Sequence, residues 1–144
     1  MARRSRIALV ALCAMLLVAC MAPQRSFVRD VDAKGWSSTV DIPFENEDTV
    51  SLRRLSVVVR YNSSFKADSL PVIVRVTAPD ERYCEERVVL RFARPYTATA
   101  VSASESVPYR EHSRLPMEGR YTFRIVPEAM TLGVEAVGIE IEKE

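Results

Sequence analysis

The chain is poor in the residues on which most catalytic and metal sites are built. Of its 144 residues, one is histidine, three are cysteine and four are glycine. A single histidine, His112, excludes a histidine cluster for zinc, and the scattered glycines form no phosphate-binding loop. His112 lies in a polar stretch, residues 109–114, without the strained turn of a nucleophile. We therefore predict a protein that is not an enzyme and uses no metal or cofactor.

The N-terminus is typical of an exported bacterial lipoprotein. Three arginines within the first six residues precede the apolar run Ile7–Ala19, which is shorter than the roughly 20 residues of a membrane-spanning helix. The run ends in Leu17-Val18-Ala19-Cys20, the pattern of a lipobox, in which the thiol of Cys20 would accept the lipid. Alternatively, an ordinary signal peptidase cuts here and Cys20 stays unmodified.

The lipobox predicts three segments: a signal peptide over 1–19, a lipidated tether over 20–26 and a folded domain over 27–144. Three acyl chains on one residue would anchor the domain firmly to a lipid bilayer without crossing it. Met21 follows the cysteine, and by resemblance to enterobacterial sorting a residue other than aspartate there suggests the outer membrane, with the domain facing the periplasm.

Charge and cysteine content narrow the class of partner. Removing Arg3, Arg4 and Arg6 from the 20 basic residues leaves 17, against 19 acidic ones. This near-neutral balance gives no basic footprint for nucleic acid. Once Cys20 is acylated, Cys84 has no partner for a disulfide within the chain. We predict that Cys84 is a buried or half-buried structural residue, and a reactive thiol is the alternative.

Apolar and polar residues alternate with a period of two over most of the domain, as in strands with one buried face. The alternating segments are Trp36–Phe44, Leu55–Tyr61, Val72–Thr77, Val88–Phe92, Tyr121–Val126 and Val137–Glu142. Turn-forming residues separate them. Residues 96–114 predict one or two edge strands and a long loop, and Pro127–Leu132 is the only helix candidate. We predict an all-β fold, an antiparallel β-sandwich of jelly-roll or immunoglobulin-like type.

Three groups of side chains are candidates for binding. Arg60, Arg75, Arg91 and Arg124 lie out of phase with the apolar face of their strands, so they form either cross-strand pairs with acids or an anion-binding stripe. Glu45, Glu47 and Asp48 form either a calcium-binding turn or a solvated one. Trp36, Tyr96 and Tyr109 could bind sugar, although core packing explains Trp36 at least as well.

Two C-terminal segments carry a recognisable pattern, Gly119-Arg120-Tyr121-Thr122-Phe123-Arg124-Ile125 and Met130 to Glu142. Together with Trp36, Phe44 and the lipobox, they resemble the gliding-motility lipoprotein family (GldH-like) of the Bacteroidetes. The chain departs from that family at Thr131, where an arginine is usual, and over Tyr96–Pro108, which lacks the family's glycine- and tryptophan-rich segment.

The resemblance implies a part in an envelope machine for gliding or the associated protein secretion. The expected partners are the lipid bilayer, through acylated Cys20, and envelope proteins. The alternative function is a carbohydrate-binding accessory lipoprotein of a glycan-uptake system, and a hydrolase accessory domain is a third. Gly133 is expected to take a positive φ, and Gly138 to mark a bulge or a close approach of another strand.

Overall fold

The structure, a computed structural model, describes residues 25–93 and 101–144. Within them the chain forms strands and no helix: β1 Arg25–Asp30, β2 Val40–Asn46, β3 Arg53–Asn62, β4 Ser69–Thr77, β5 Tyr83–Arg91, β6 Ser102–Ser113, β7 Gly119–Pro127 and β8 Val134–Lys143. Nothing in these ranges is a helix long and apolar enough to cross a membrane. Cys20 and the predicted signal peptide lie outside the described residues.

The strands form two four-stranded antiparallel sheets. One has the order β1-β8-β3-β6 and the other the order β2-β7-β4-β5. Apart from the β4–β5 hairpin, each connection carries the chain from one sheet to the other, so consecutive strands seldom pair. The predicted antiparallel β-sandwich is confirmed.

The core lies between the sheets because alternate residues of each strand point inward. In β2, for example, Val40, Ile42 and Phe44 are buried while Asp41 and Pro43 are exposed. The largest fully buried side chains are Trp36, Phe123, Ile42, Leu90, Ile125 and Ile139. Burying an apolar side chain of this size stabilises the fold by about 1.5–3 kcal/mol relative to leaving it exposed.

The antiparallel order sorts the loops to two ends of the sandwich. At the first, which we call the tether end, lie the start of β1 at Arg25, the end of β8 at Lys143, and the loops 47–52, 78–82 and 114–118. At the opposite end, which we call the far end, lie the loops 31–39, 63–68 and 128–133.

The helix predicted over Pro127–Leu132 is wrong. Pro127 is the last residue of β7, and Thr131 forms an isolated bridge with Trp36 through two backbone hydrogen bonds of 2.9 Å. The backbone of this segment therefore bonds across the far end instead of to itself. Gly133 follows with a φ of 80°, as expected, and a Cβ there would lie 2.2 Å from the Phe65 nitrogen.

The remaining differences concern the two edge strands of the first sheet. Strand β1 was not predicted, and it takes the last two residues of the predicted tether, Arg25 and Ser26, into the sheet. Strand β6 is the edge strand expected within 96–114, and residues 94–100 lie outside the described part. Gly138 marks a close approach, as expected, since a Cβ there would meet the Phe27 carbonyl oxygen at 2.1 Å.

Candidate functional site

The arginines on the outer faces pair with acids across strands. Arg124 donates from Nε and Nη2 to the carboxylate of Asp41, directly opposite on β2, at 2.7 and 2.8 Å. Arg75 contacts Glu85, directly opposite on β5, at 2.6–2.7 Å. These acids already bind the guanidinium groups of Arg124 and Arg75. For these two arginines, the prediction of cross-strand pairs is confirmed and that of an anion-binding stripe is not.

The other two arginines of that group differ from each other in their ion pairs. Arg60 pairs with Asp30 at 2.9 Å and with Glu135 at 3.4 Å. Arg91 is exposed and has no ion pair within the part of the chain that the structure describes. Arg124 also holds the pKa of Asp41 below its usual value, chiefly through their hydrogen bonds, so this pair stays charged at neutral pH.

The sandwich opens at one lateral edge, where β5 of one sheet faces β6 of the other. The burial of the inward-facing residues of β5 decreases along the strand. Leu90 is fully buried, Val88 and Glu86 are half-buried, and Cys84 is exposed. The prediction of a buried or half-buried Cys84 is therefore wrong. The alternation on β5 correctly places Cys84 on the inward side, but there it lines a solvent-accessible cleft instead of the core.

At this opening lies a cleft of about 460 Å³, which we call the open-edge cleft. Its apolar lining includes Leu55, Val76, Leu115, Met117 and Tyr121. Arg110 Nε of β6 bonds Glu86 Oε1 of β5 at 2.6 Å, so one ion pair spans the two edge strands. Volume and lining fall within the range of ligand-binding clefts, which are mostly apolar with a few polar groups.

Two polar groups of the open-edge cleft stand out. The Tyr109 hydroxyl is buried without a hydrogen-bond partner among the described residues. Burial, with a smaller contribution from Glu86, raises its pKa far above the usual value of 10.0, so the hydroxyl stays protonated. Arg114, which also lines the cleft, is exposed and has no ion pair within residues 25–93 and 101–144.

Both strands that border the cleft have a free edge. Among the residues that the structure describes, β5 pairs only with β4, and β6 only with β3. An unpaired strand edge offers a row of backbone donors and acceptors to another chain. The arrangement can therefore accept an extended polypeptide, with main-chain bonds along an edge and an apolar side chain in the cleft.

Trp36 is a core residue. This agrees with its position, which is in phase with the inward-facing Ile42 and Phe44. Only 1% of it is exposed, and its indole nitrogen donates to the Ser38 carbonyl at 2.8 Å. It cannot serve as an exposed platform for sugar stacking. Tyr109 is half-buried and lies in the cleft, and Tyr96 lies outside the described residues.

Two acids of the acidic turn form ion pairs, and the histidine is hydrogen-bonded to a carboxylate. Glu45 bonds Arg120 at 2.6 Å, and Asp48 bonds Lys143 at 2.5 Å. His112, at a φ of 52°, bonds Glu144 through Nδ1 at 2.6 Å. Among the described residues, no group of three or more His, Cys, Asp or Glu side chains is arranged to hold a metal ion.

The fold and these surfaces define an all-β domain with a core between two sheets and an open lateral edge. The family model for the GldH lipoprotein matches residues 26–141. The chain therefore belongs to the GldH lipoprotein family. The match runs from the second residue of β1 into β8 and so includes all or most of every strand. No curated protein matches the chain significantly.

Solved structures share only distant likeness. The chain is similar to the Yersinia pseudotuberculosis-derived mitogen, with 7% identity over 86% of this chain and 88% of the other, and a TM-score of 0.38. The VP2 subviral particle of infectious bursal disease virus has 10% identity over 83% and 33% of the two chains, with a TM-score of 0.39. The α-L-arabinofuranosidase MgGH51 has 10% identity over 85% and 22%, with a TM-score of 0.35.

Proposed function

We propose that this protein is a non-enzymatic lipoprotein of the outer membrane that takes part in gliding motility or the associated protein secretion. Membership of the GldH lipoprotein family is the observation that carries the proposal. Acylation of Cys20 would supply the anchor, Met21 favours sorting to the outer membrane, and the domain would face the periplasm. The expected partners are the bilayer and other proteins of the envelope.

In this proposal the domain acts as a scaffold that holds a partner at the membrane. The open-edge cleft is the surface best suited to the partner, because it combines an apolar lining with two free strand edges. The unpaired Arg114 beside it favours a partner segment that carries an acidic side chain. The partner would bind as an extended strand along β5 or β6.

Affinity purification from membranes, through a tag at the C-terminus, tests the scaffold. Wild-type protein should recover gliding or secretion components, identified by mass spectrometry. Cys84→Arg should lose them, because the new side chain projects from the inward face of β5 into the cleft. Val89→Arg is the matched control, since it adds the same residue to the outward, exposed face of the same strand.

Recovery of no envelope protein, together with binding to a glycan array, would contradict the scaffold and favour the carbohydrate-binding alternative. Equal recovery by Cys84→Arg and wild type would place the partner surface elsewhere on the domain. Circular dichroism of both variants shows whether the sandwich is intact before the comparison is made.

A further inference from the structure

The tether end contains a buried arginine without an acidic partner. Arg53, the first residue of β3, is 4% exposed. Its two hydrogen bonds both come from Nη2, to Asn46 Oδ1 at 2.8 Å and to the Asp48 carbonyl at 2.7 Å. Its Nε is buried with no partner, and no carboxylate of the described residues lies within ion-pair distance. Buried charges are normally paired, because removing an ion from water is unfavourable.

Arg53 lines a surface pocket of about 120 Å³, which we call the tether-end pocket. Two further cations, Arg25 and Lys143, line the same pocket. Behind the guanidinium lies the ring of Phe44, whose centroid is 5.6 Å from the Arg53 Cζ. An aromatic face in this position holds the plane of the guanidinium.

Three acids also line the tether-end pocket, but two of them are already engaged. Glu45 is paired with Arg120, and Asp48 with Lys143. Asp48 also accepts hydrogen bonds from the Ser51 hydroxyl and amide at 2.7 and 3.0 Å. Glu47 is exposed at the mouth. Counting ion pairs among the described residues alone, Arg53, Arg25 and Glu47 are the lining residues that remain unpaired.

We propose that the tether-end pocket binds an oxyanion of the phosphate class. Both hydrogens of Arg53 Nη2 already bond Asn46 and Asp48, and its Nε is buried, so Arg53 would attract the anion by its charge and offer the remaining Nη1 hydrogens. Such an anion would supply the counter-charge that Arg53 lacks, and Arg25 would contact it from the mouth. Lys143, shared with Asp48, adds a third positive charge at the wall of the pocket.

Two sources supply this chemistry, free phosphate and a lipid headgroup. The lipid source rests on the proposed anchor at Cys20, whereas the phosphate source does not. Arg25 lies five positions after Cys20, an extended distance of roughly 18 Å at most, so an anchored domain would hold the pocket close to the headgroups. Val50 and Leu52, exposed by 73% and 39%, lie in the loop at this same end.

The test uses the processed chain, purified from membranes in a non-ionic detergent. Inorganic phosphate is titrated in one arm and followed by ³¹P NMR line broadening. In a second arm short-chain phosphatidylglycerol is added to the micelles, with diacylglycerol as the uncharged comparison. We expect saturable binding in at least one arm, weakened by added salt because part of the attraction is electrostatic. Binding of phosphate alone assigns free phosphate as the source, and binding of phosphatidylglycerol assigns the headgroup.

Four variants separate a built site from general attraction. Arg53→Lys keeps the charge but loses the Nη1 donors and the bonds to Asn46 and Asp48 that position them, and should weaken binding by on the order of tenfold. Arg25→Gln, at an exposed position, should weaken it less and does not put folding at risk. Glu47→Gln should strengthen it. Arg91→Gln, at the far end of β5, changes net charge as Arg25→Gln does and should leave binding unchanged.

Absence of saturable binding in both arms would overturn the proposal. So would equal losses in Arg25→Gln and Arg91→Gln, or a loss in Glu47→Gln, which would indicate a cation instead. Failure of the anchor is detected separately, by the absence of acyl chains on the purified protein, and leaves the phosphate titration interpretable.

Discussion

Arg75 and Arg124 lie directly opposite each other on the neighbouring strands β4 and β7. Each is flanked on its other side by the acid that it contacts, Glu85 and Asp41. The four residues form one row across the sheet, with the acids on the edge strands and the arginines at the centre. Like charges directly opposite each other destabilise a sheet, so the flanking acids offset a repulsion that the register imposes.

Asp41→Asn tests this row. It should lower the free energy of unfolding by roughly 0.2–1 kcal/mol, because Arg124 loses its partner and is left facing Arg75. Glu45→Gln is the matched control, since Glu45 pairs with Arg120 across the same two strands and Arg120 has no register partner on β4. Urea denaturation should give the larger loss for Asp41→Asn. Equal losses would contradict the repulsion across β4 and β7.

Acid should weaken the fold through carboxylates that accept hydrogen bonds from arginines. Hydrogen bonds from Arg124 and Arg87 lower the pKa values of Asp41 and Glu128 from their usual 3.8 and 4.5. A carboxyl whose pKa is lower in the folded state stabilises that state above its unfolded pKa, and the contribution is lost as pH falls. The urea midpoint should therefore stay level from pH 7 to about 5 and decline below 4.5. The double variant Asp41→Asn/Glu128→Gln should show a shallower decline, and identical pH profiles would refute this cause.

Gly138→Ala should detach β1 from the sheet. The added Cβ would meet the Phe27 carbonyl oxygen at 2.1 Å and the Val28 Cα at 2.8 Å, both of them backbone atoms that cannot rotate away. Amide hydrogen exchange should become faster at Phe27 and Val28 than in the wild type. Gly35→Ala is the control, because its nearest neighbour is the Met130 sulfur at 3.0 Å, on a flexible and exposed side chain. Unchanged protection of β1 in Gly138→Ala would contradict the close approach.

The exposure of Cys84 predicts rapid labelling of the native protein. A maleimide should modify Cys84 without denaturant, at a rate similar to that of the unfolded chain. If Cys20 is acylated and the signal peptide removed, one label per chain is expected, and Cys84→Ser should take none. Labelling that requires denaturant would show that the cleft is closed in solution.

The alternation of apolar and polar residues predicted the strands whose inward residues are large and apolar. It missed the strand that is held mainly by pairing with a neighbouring strand. In β2 the buried Val40, Ile42 and Phe44 alternate with exposed residues and leave no ambiguity. Strand β1 has only Phe27 partly buried, and its place in the sheet comes from pairing with β8. In Pro127–Leu132 the composition suggested a local turn of helix, but the bridge from Thr131 to Trp36 is a long-range contact.

The candidate surfaces were less accessible to prediction than the strands. The side of β5 that carries Cys84 followed from the alternation, but its exposure comes from the open-edge cleft that it lines. Arg53 carried no signal in the sequence, since arginines at strand ends are usually solvated. Its burial arises because the loop 47–52 and the end of β8 cover it.

The mass of the N-terminal peptide of protein isolated from membranes tests the proposed lipid anchor. We expect this peptide to begin at Cys20 and to carry a diacylglyceryl group on sulfur and an acyl chain on nitrogen, both absent from Cys20→Ser. A peptide that begins at another residue, or an unmodified Cys20, would contradict it.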